Sequence, residues 1–363
     1  MQISPELQVN YNIGYNVPQN FSDGGQFQRF SRTILTMASV ATIALMVVGV
    51  FGNSLTIIAL AKRSKIRTMA AAFIVSLCIA DLLFCFTVLP FSASHFLHGT
   101  WVHGDLLCSL IPFLRYGNVG VSLLSVAMIS INRYVLIAWP HLYPRIYTRC
   151  TVAFFIAFCW LFSYGMQLPT LLGIWGEFGY DARLGTCTIK KDEHGRSSKT
   201  ALFIIAFIVP CLIIIVCYAK IFLVVKKSHA RVQRHTSRTT SEGKRSEWSV
   251  TKMVLAIFLG FLICYLPITL VKVADENVTY PGFHITGYLM LFLSACINPI
   301  IYVTMNKQYR QAYRDALICK SNSPQQNTDL PSRTLMSVVF VPNRPNQQAV
   351  MQIKTNNNSV ILN

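Results

Sequence analysis

The residues best placed to do chemistry are charged or amide side chains set inside long apolar runs. Asp81 stands in the middle of one run, Arg133 closes another, and Asn298-Pro299-Ile300-Ile301-Tyr302 ends the last. A carboxylate in an apolar run is costly unless a polar partner, a cation or water meets it, so Asp81 reads as a hydrogen-bonding or ion-binding group. Arg133, at the inner boundary of its run, is placed to snorkel to lipid phosphates. A proline next to an amide near the inner end of a helix makes a deformable joint, because proline removes a helix hydrogen bond. An intramembrane enzyme needs a metal or nucleophile set, such as a His-Glu pair on one helix, and the histidines here fall mainly in loops. The chemistry on offer is ion binding and conformational switching, not bond making, so the chain is read as no enzyme.

Those positions belong to apolar runs at residues 34–60, 69–94, 108–139, 150–173, 200–225, 250–273 and 283–305. A hydrocarbon core of roughly 30 Å takes about 20 helical residues, and each run is long enough. The fold expected is therefore an all-α membrane protein: a seven-transmembrane helix bundle, followed by a short amphipathic eighth helix on the inner leaflet. With 53% hydrophobic and 13% charged residues, no polar stretch is long enough for a soluble domain. The organisation expected is a tail at 1–33, a bundle at 34–305, an amphipathic helix at 306–319 and a disordered cytoplasmic tail at 320–363.

Basic residues set the orientation. Lys62, Arg63, Lys65 and Arg67 follow the first run, Arg145 and Arg149 the third, and a dense group from Lys220 to Lys252 the fifth. These loops belong inside the cell, whereas residues 95–107 hold no Lys or Arg, and 274–282 carry Asp275 and Glu276. The segment 174–199 is mixed and weakens the rule without reversing it. A multi-pass protein of the plasma membrane with an extracellular N-terminus is expected, its first run acting as an uncleaved signal-anchor. Asn20-Phe21-Ser22 is then an outer glycosylation candidate; Asn277-Val278-Thr279 lies close to the membrane. The net charge of +18 is spread over membrane-flanking loops, which fits anionic inner-leaflet lipid and not nucleic acid.

Cys108 opens the third run and Cys187 lies in the outer loop after the fourth, so both face oxidising space, where a bond forms if geometry allows. Most other cysteines read as small apolar side chains. Cys319 follows the basic, amphipathic stretch from Asn306 to Ile318 and is a palmitoylation candidate.

Taken together these marks resemble the rhodopsin-like class of G-protein-coupled receptors. The matching residues are Gly52-Asn53, Leu77 and Asp81, Asn132-Arg133-Tyr134, Trp160, Pro210 and Tyr218, Phe261, Cys264-Tyr265-Leu266-Pro267, and Asn298-Pro299-Ile300-Ile301-Tyr302. The resemblance implies a Cys108–Cys187 disulfide. It implies that Asp81, with Asn118, Ser122, Ser294, Asn298 and Asn53 nearby, holds an allosteric sodium ion; in the alternative, Asp81 is only hydrogen-bonded to Asn53 and Asn298. No cofactor is required beyond that metal. Arg133 becomes a switch released toward Tyr218 and a heterotrimeric G protein, Pro267 lets the sixth span swing, and Phe261, Pro299 and Tyr302 repack. Arrestin and receptor kinases are further implied partners, acting on Ser and Thr of the third inner loop and tail.

Three departures stand out. Asn132 replaces the acid that usually precedes the arginine, leaving Glu247 to restrain Arg133 and raising the expected basal activity. Tyr265 replaces a tryptophan, and its hydroxyl changes the coupling between ligand and core. Arg115 stands where amine receptors have aspartate, which disfavours an amine. Arg115 and Lys272 are instead expected to converge on an acidic ligand group, within walls of Tyr116, Val119, Phe207, Tyr265, Tyr288 and Leu291. An anionic lipid, an organic acid or a peptide carboxylate fits; alternatively Arg115 pairs with Glu177 or Asp181. Retinal is disfavoured because residues 283–305 hold no lysine.

Within the class, Ile263-Cys264-Tyr265-Leu266-Pro267-Ile268-Thr269, the Asn-Arg-Tyr triplet and the short third inner loop look most like the invertebrate Trapped-in-endoderm and Moody receptors. That group lies near melatonin-like receptors and a vertebrate medium-chain fatty-acid receptor, and it implies guidance of cell migration, polarity or junction and actin organisation. A peptide- or melatonin-like receptor is the alternative. A transporter is the rival from another class, but it usually carries internal repeats, and none is evident.

Overall fold

The computed structural model describes residues 31–62, 68–182, 185–232, 241–275, 279–318, 351–355 and 358–362, with side-chain surroundings given outside 227–248, 273–274, 281 and the two last segments. Asn20, Asn277 and Cys319 lie outside the described residues, as does the Glu247 side chain. Seven helical stretches are long and apolar enough to cross a membrane: Arg32–Lys62, Met69–His98, Gly104–Ala138, Arg149–Leu171, Lys199–Lys226, Ser249–Lys272 and Gly282–Met305.

The first span is one helix, α1 (Arg32–Lys62). The second is two, α2 (Met69–Thr87) and α3 (Leu89–His98), broken at Val88 because Pro90 has no N–H to continue the ladder. The third is α4 (Gly104–Ala138), and a one-turn helix α5 (Tyr143–Ile146) follows it on the inner side. The fourth splits into α6 (Arg149–Gly165) and α7 (Leu168–Leu171), with Pro169 opening the second piece. Thr68 and Thr148 cap α2 and α6 by accepting from the backbone N–H three residues on.

The outer loop after α7 folds into an antiparallel hairpin, β1 (Glu177–Asp181) with β2 (Thr186–Lys190). Cys187 on β2 is bonded to Cys108 near the start of α4, with Cα atoms 5.2 Å apart, which fixes the hairpin on the outer end of the third span. The fifth span runs through α8 (Lys199–Phe203), a π-helical turn at Ile204–Ile208 and α9 (Val209–Val232). The π turn lies just ahead of Pro210, whose missing N–H relaxes the ladder there. The sixth and seventh spans are α10 (Ser241–Ala274) and α11 (Pro281–Met305).

After Asn306, whose side chain caps the next helix at Gln308 N, α12 (Lys307–Leu317) turns away. Tyr309, Ala312, Tyr313 and Ala316 form its buried stripe, spaced as one helix face. Tyr313 is hydrogen-bonded to Thr56, so part of that face packs on the first span and only part is left for lipid. Residues 320–363 form a separate unit. Its described part is an antiparallel pair, β3 (Met351–Thr355) with β4 (Asn358–Leu362), where composition led us to expect no regular structure. Thr355 pairs with Asn358, and the paired segments carry Ile353, Val360 and Ile361, β-branched residues that favour strands.

The second and third spans form the centre of the bundle, each with 61% of its apolar window buried, against 22% for the fourth. Outward side chains such as Phe51, Phe154 and Leu161 are more than half exposed, as a lipid-facing surface requires. Between α4 and α6 the packing relies on small residues. A Cβ on Gly120 would clash with Ser163 Oγ and one on Gly117 would lie 2.5 Å from the Tyr164 ring, while Ser163 Oγ donates to Gly117 O at 2.7 Å.

Gly120→Leu is therefore expected to cost about 1–3 kcal/mol of stability. The measurement is thermal unfolding of purified protein, followed by a thiol-reactive dye at the buried cysteines such as Cys78, Cys159 and Cys264. Gly165→Ala, where a Cβ meets open space, is the control. Equal unfolding temperatures for the two variants would contradict the close contact.

Candidate functional site

Polar side chains gather at three depths. In the outer half a chamber of about 370 Å³ opens between α4, β2, the start of the fifth span, α10 and α11. Arg115, Tyr116, Val119, Phe207, Tyr265, Lys272, Tyr288 and Leu291, the residues expected around a ligand, all line it. So do residues the sequence reading missed: Gln167, Ile189, Lys199, Phe203 and His284 among them. Lys199, a cation at the start of the fifth span, and His284, the one histidine in the last apolar run, were the signals available.

Arg115 is 5% exposed, and its Nε and Nη1 have no hydrogen-bond partner. Neither internal pairing expected as an alternative is formed. Glu177 is 3.0 Å from Lys190 across the hairpin. Asp181 lines the chamber, but among the described residues Arg115 forms no ion pair with it. Instead the Tyr288 ring lies between the two cations, 5.9 Å from the Arg115 guanidinium carbon and 5.0 Å from Lys272 Nζ. Asp275, the other acid at the rim, accepts from the backbone N–H of Thr279 at 2.7 Å and of Tyr280 at 2.8 Å. Those bonds, the Tyr280 N–H foremost, hold its carboxyl below the usual carboxylate range.

Tyr265 forms the chamber floor. Its ring stacks on Phe261 at 5.4 Å, packs 6.4 Å from Phe207, and its hydroxyl meets Ser294 Oγ at 3.1 Å. Ser294 Oγ also donates to Leu291 O at 2.6 Å.

The middle depth is built on Asp81, only 3% exposed. Asn298 Nδ2 donates to one carboxylate oxygen at 2.9 Å, and Ser122 Oγ donates to the other at 3.3 Å. Asn53 does not reach Asp81; it donates to the carbonyls of Gly49 and Ala295 and so ties the first span to the seventh. Asn118 also departs from expectation, because its Oδ1 accepts from the Tyr164 hydroxyl at 2.9 Å and the amide is turned to the fourth span. Asn298 Oδ1 is buried without a partner beside the carboxylate. One carboxylate, a serine oxygen and an unpartnered amide oxygen make a donor set that suits a hard monovalent cation.

At the inner end Arg133 is 4% exposed, which does not match a side chain snorkelling to lipid phosphates. Asn132 is fully buried and donates to the Tyr143 hydroxyl of α5 at 3.1 Å. Tyr143 stacks on Tyr147 at 5.0 Å, and burial pushes the Tyr147 hydroxyl up to about 12. Tyr134 packs edge-on against Trp139. Among the described contacts, the inner part of α10 is held by Tyr218 OH, which donates to Thr251 O at 3.0 Å, and by Ser249 Oγ, which donates to Met305 O at 3.2 Å. Tyr302 is buried and packs on Tyr309 at 5.4 Å.

The family described as 7 transmembrane receptor (rhodopsin family) matches residues 52–302. G-protein coupled receptor moody of Drosophila melanogaster is 53% identical over 351 residues, 80% of this chain and 52% of that protein. The chain thus spans about half the length of the Moody relatives it matches. Protein trapped in endoderm-1 of the same fly is 40% identical over 298 residues, 76% of each chain. The crystal structure of squid rhodopsin shares the fold, with a TM-score of 0.71 and 24% identity over 80% of this chain and 87% of that one. Seven spans, a buried arginine at the inner end of the third and a buried acid in the second, found together with these likenesses, make this chain a multi-pass membrane protein that belongs to the rhodopsin family of seven-transmembrane receptors.

Proposed function

We propose that the chain is a plasma-membrane receptor, N-terminus outside, that converts occupancy of the outer chamber by an extracellular ligand into activation of a heterotrimeric G protein at its inner face. The observation that carries this reading is the placement of Tyr265. One side chain lines the chamber, stacks on Phe261 and bonds Ser294, one turn before Asn298, which holds Asp81. A ligand that moves the Tyr265 ring acts at once on the core.

The steps follow from the contacts. Ligand entry displaces Tyr265; Phe261, Ser294 and Asn298 repack around Asp81; and the inner end of α10 swings out on the joint at Pro267. Opening breaks the Tyr218–Thr251 and Ser249–Met305 bonds, which release Tyr218 to meet Arg133. Ligand and G protein then bias the same two-state bundle, so each strengthens the other's binding. Asp81, Ser122 Oγ and Asn298 Oδ1 would hold a sodium ion, whose charge supports the resting packing. Arrestin and receptor kinases complete the proposed partners. The ligand carries an acidic group, as an organic acid or anionic lipid does. The cellular role proposed is guidance of migration, polarity or junction and actin organisation, as the sequence resemblance implies.

With G-protein dissociation sensors at equal surface level, Arg133→Ala is expected to remove the basal signal of the wild type. Asn132→Asp, which restores an acid beside Arg133, is expected to lower that signal; no change would refute the neutral amide as a source of basal activity. Tyr265→Phe removes one hydrogen bond and is expected to cost about 0.5–1.5 kcal/mol of thermal stability. A value near zero would show that the hydroxyl is not part of the coupling. Sodium chloride is expected to raise the unfolding temperature above that in equal choline chloride, by mass action on the folded state. Asp81→Asn should abolish that difference, and its persistence would place the ion elsewhere.

A further inference from the structure

We propose that the outer chamber is built for an amphiphilic oxyanion, a carboxylate or phosphate monoester head on Arg115 and Tyr288 with an apolar tail against Phe207, Tyr265 and Leu291. The inference rests on the chamber being the ligand site and names its chemistry. Arg115 Nε and Nη1 and the Tyr288 hydroxyl are buried, without hydrogen-bond partners, and belong to side chains lining the same cavity. All three are groups able to donate. Buried donors left unmade are expensive, and a buried guanidinium is the most expensive of them.

The charges point the same way. Arg115, Lys199 and Lys272 line the chamber against Asp181 and Asp275. Asp275 is already engaged by the Thr279 and Tyr280 N–H groups and lies 3.4 Å from His284. Arg115 and Lys272 both approach the one Tyr288 ring, at 5.9 and 5.0 Å, so two like charges share a small volume. An anionic head between them satisfies the donors and reduces that repulsion. A neutral ligand would leave both costs in place. Below the head the wall is apolar: Phe207, Leu291 and the Tyr265 ring, whose hydroxyl is turned away to Ser294. A tail that lies there touches the side chain that leads to the core.

The test uses the full-length chain in nanodiscs of neutral phosphatidylcholine, with tritiated octanoate as the probe and empty nanodiscs as background. Octyl phosphate and octanol compete, so three heads are compared on one tail. Saturable octanoate binding, displaced by octyl phosphate and at least about tenfold less well by octanol, is the expected result. Whichever acid binds more tightly identifies the source, fatty acid or phosphate monoester. Arg115→Gln should weaken binding by about tenfold or more, and Tyr288→Phe by a smaller factor. If Arg115→Gln does not fold, as thermal unfolding will show, Lys272→Gln and Tyr288→Phe carry the comparison. Octanol competing as well as the acids, no saturable binding of either acid, or variants that bind as the wild type does would each overturn the proposal. Basal G-protein activation by the same protein is read separately, so loss of the anion site leaves the receptor reading intact and testable.

Discussion

Asp81 is a carboxylate held almost out of reach of solvent in the middle of a membrane bundle, and much of the architecture follows from what has to be set against it. Hydrocarbon provides no hydrogen bonds, so its two oxygens must find donors in neighbouring spans. Asn298 reaches it from the seventh span and Ser122 from the third. Asn53 locks the first span to the seventh at the same depth by bonding backbone carbonyls, which fixes the helix that carries Asn298. Four spans are thereby positioned around one acid, and moving any of them changes its surroundings. An interaction of this kind is poor at maximising stability, because desolvation opposes it, but well suited to defining a small number of discrete packings.

The outer chamber presents the opposite charge. Arg115 and Lys272 lie close to a single aromatic ring, and Asp275 at the rim is engaged by loop backbone. An acid in the core and cations above it would attract each other through a low-dielectric medium if nothing separated them. Tyr265 and Phe261 are the separation, a stacked pair between the two charged regions. A tryptophan at the Tyr265 position would fill more volume but place no hydroxyl on Ser294. This chain exchanges bulk for a directional bond, so the coupling proposed through Tyr265 would depend on a hydrogen bond and not on steric pressure alone.

How much of this could be read from the sequence depends on the range over which each feature is encoded. Span number and length are local properties of hydropathy, so all seven runs were legible, as was the pairing of Cys108 with Cys187 once the family pattern was recognised. The residues that line the outer chamber were legible for the same reason. What could not be read was the direction of amides and acids. Asn118 turns to Tyr164, Asn53 to backbone and Glu177 to Lys190 because the nearest partner is chosen by packing between helices distant in sequence. The breaks at Val88 and ahead of Pro169 were half legible: proline marks where a helix can bend, but only the neighbouring spans decide whether it splits. The stripe on α12 was expected to face lipid, and Tyr313 instead found Thr56, since a buried hydroxyl needs a partner and the first span offers one.

The inner end shows what a neutral residue changes. An aspartate beside Arg133 would contribute a charge pair whose strength depends on desolvation and on protonation. Asn132 contributes neither. Its amide donates to Tyr143, so it ties the third span to α5, whose Tyr143 stacks on the buried Tyr147. Neutral bonds described at the inner end join Asn132 to Tyr143, Tyr218 to Thr251 and Ser249 to Met305. Neutral bonds of this kind contribute about 0.5–1.5 kcal/mol each, less than a buried charge-assisted bond. Position 132 is insensitive to pH, because an amide has no proton to gain. On the proposed two-state function, the missing acid beside Arg133 weakens the resting packing, so a smaller difference in ligand affinity suffices to move the equilibrium.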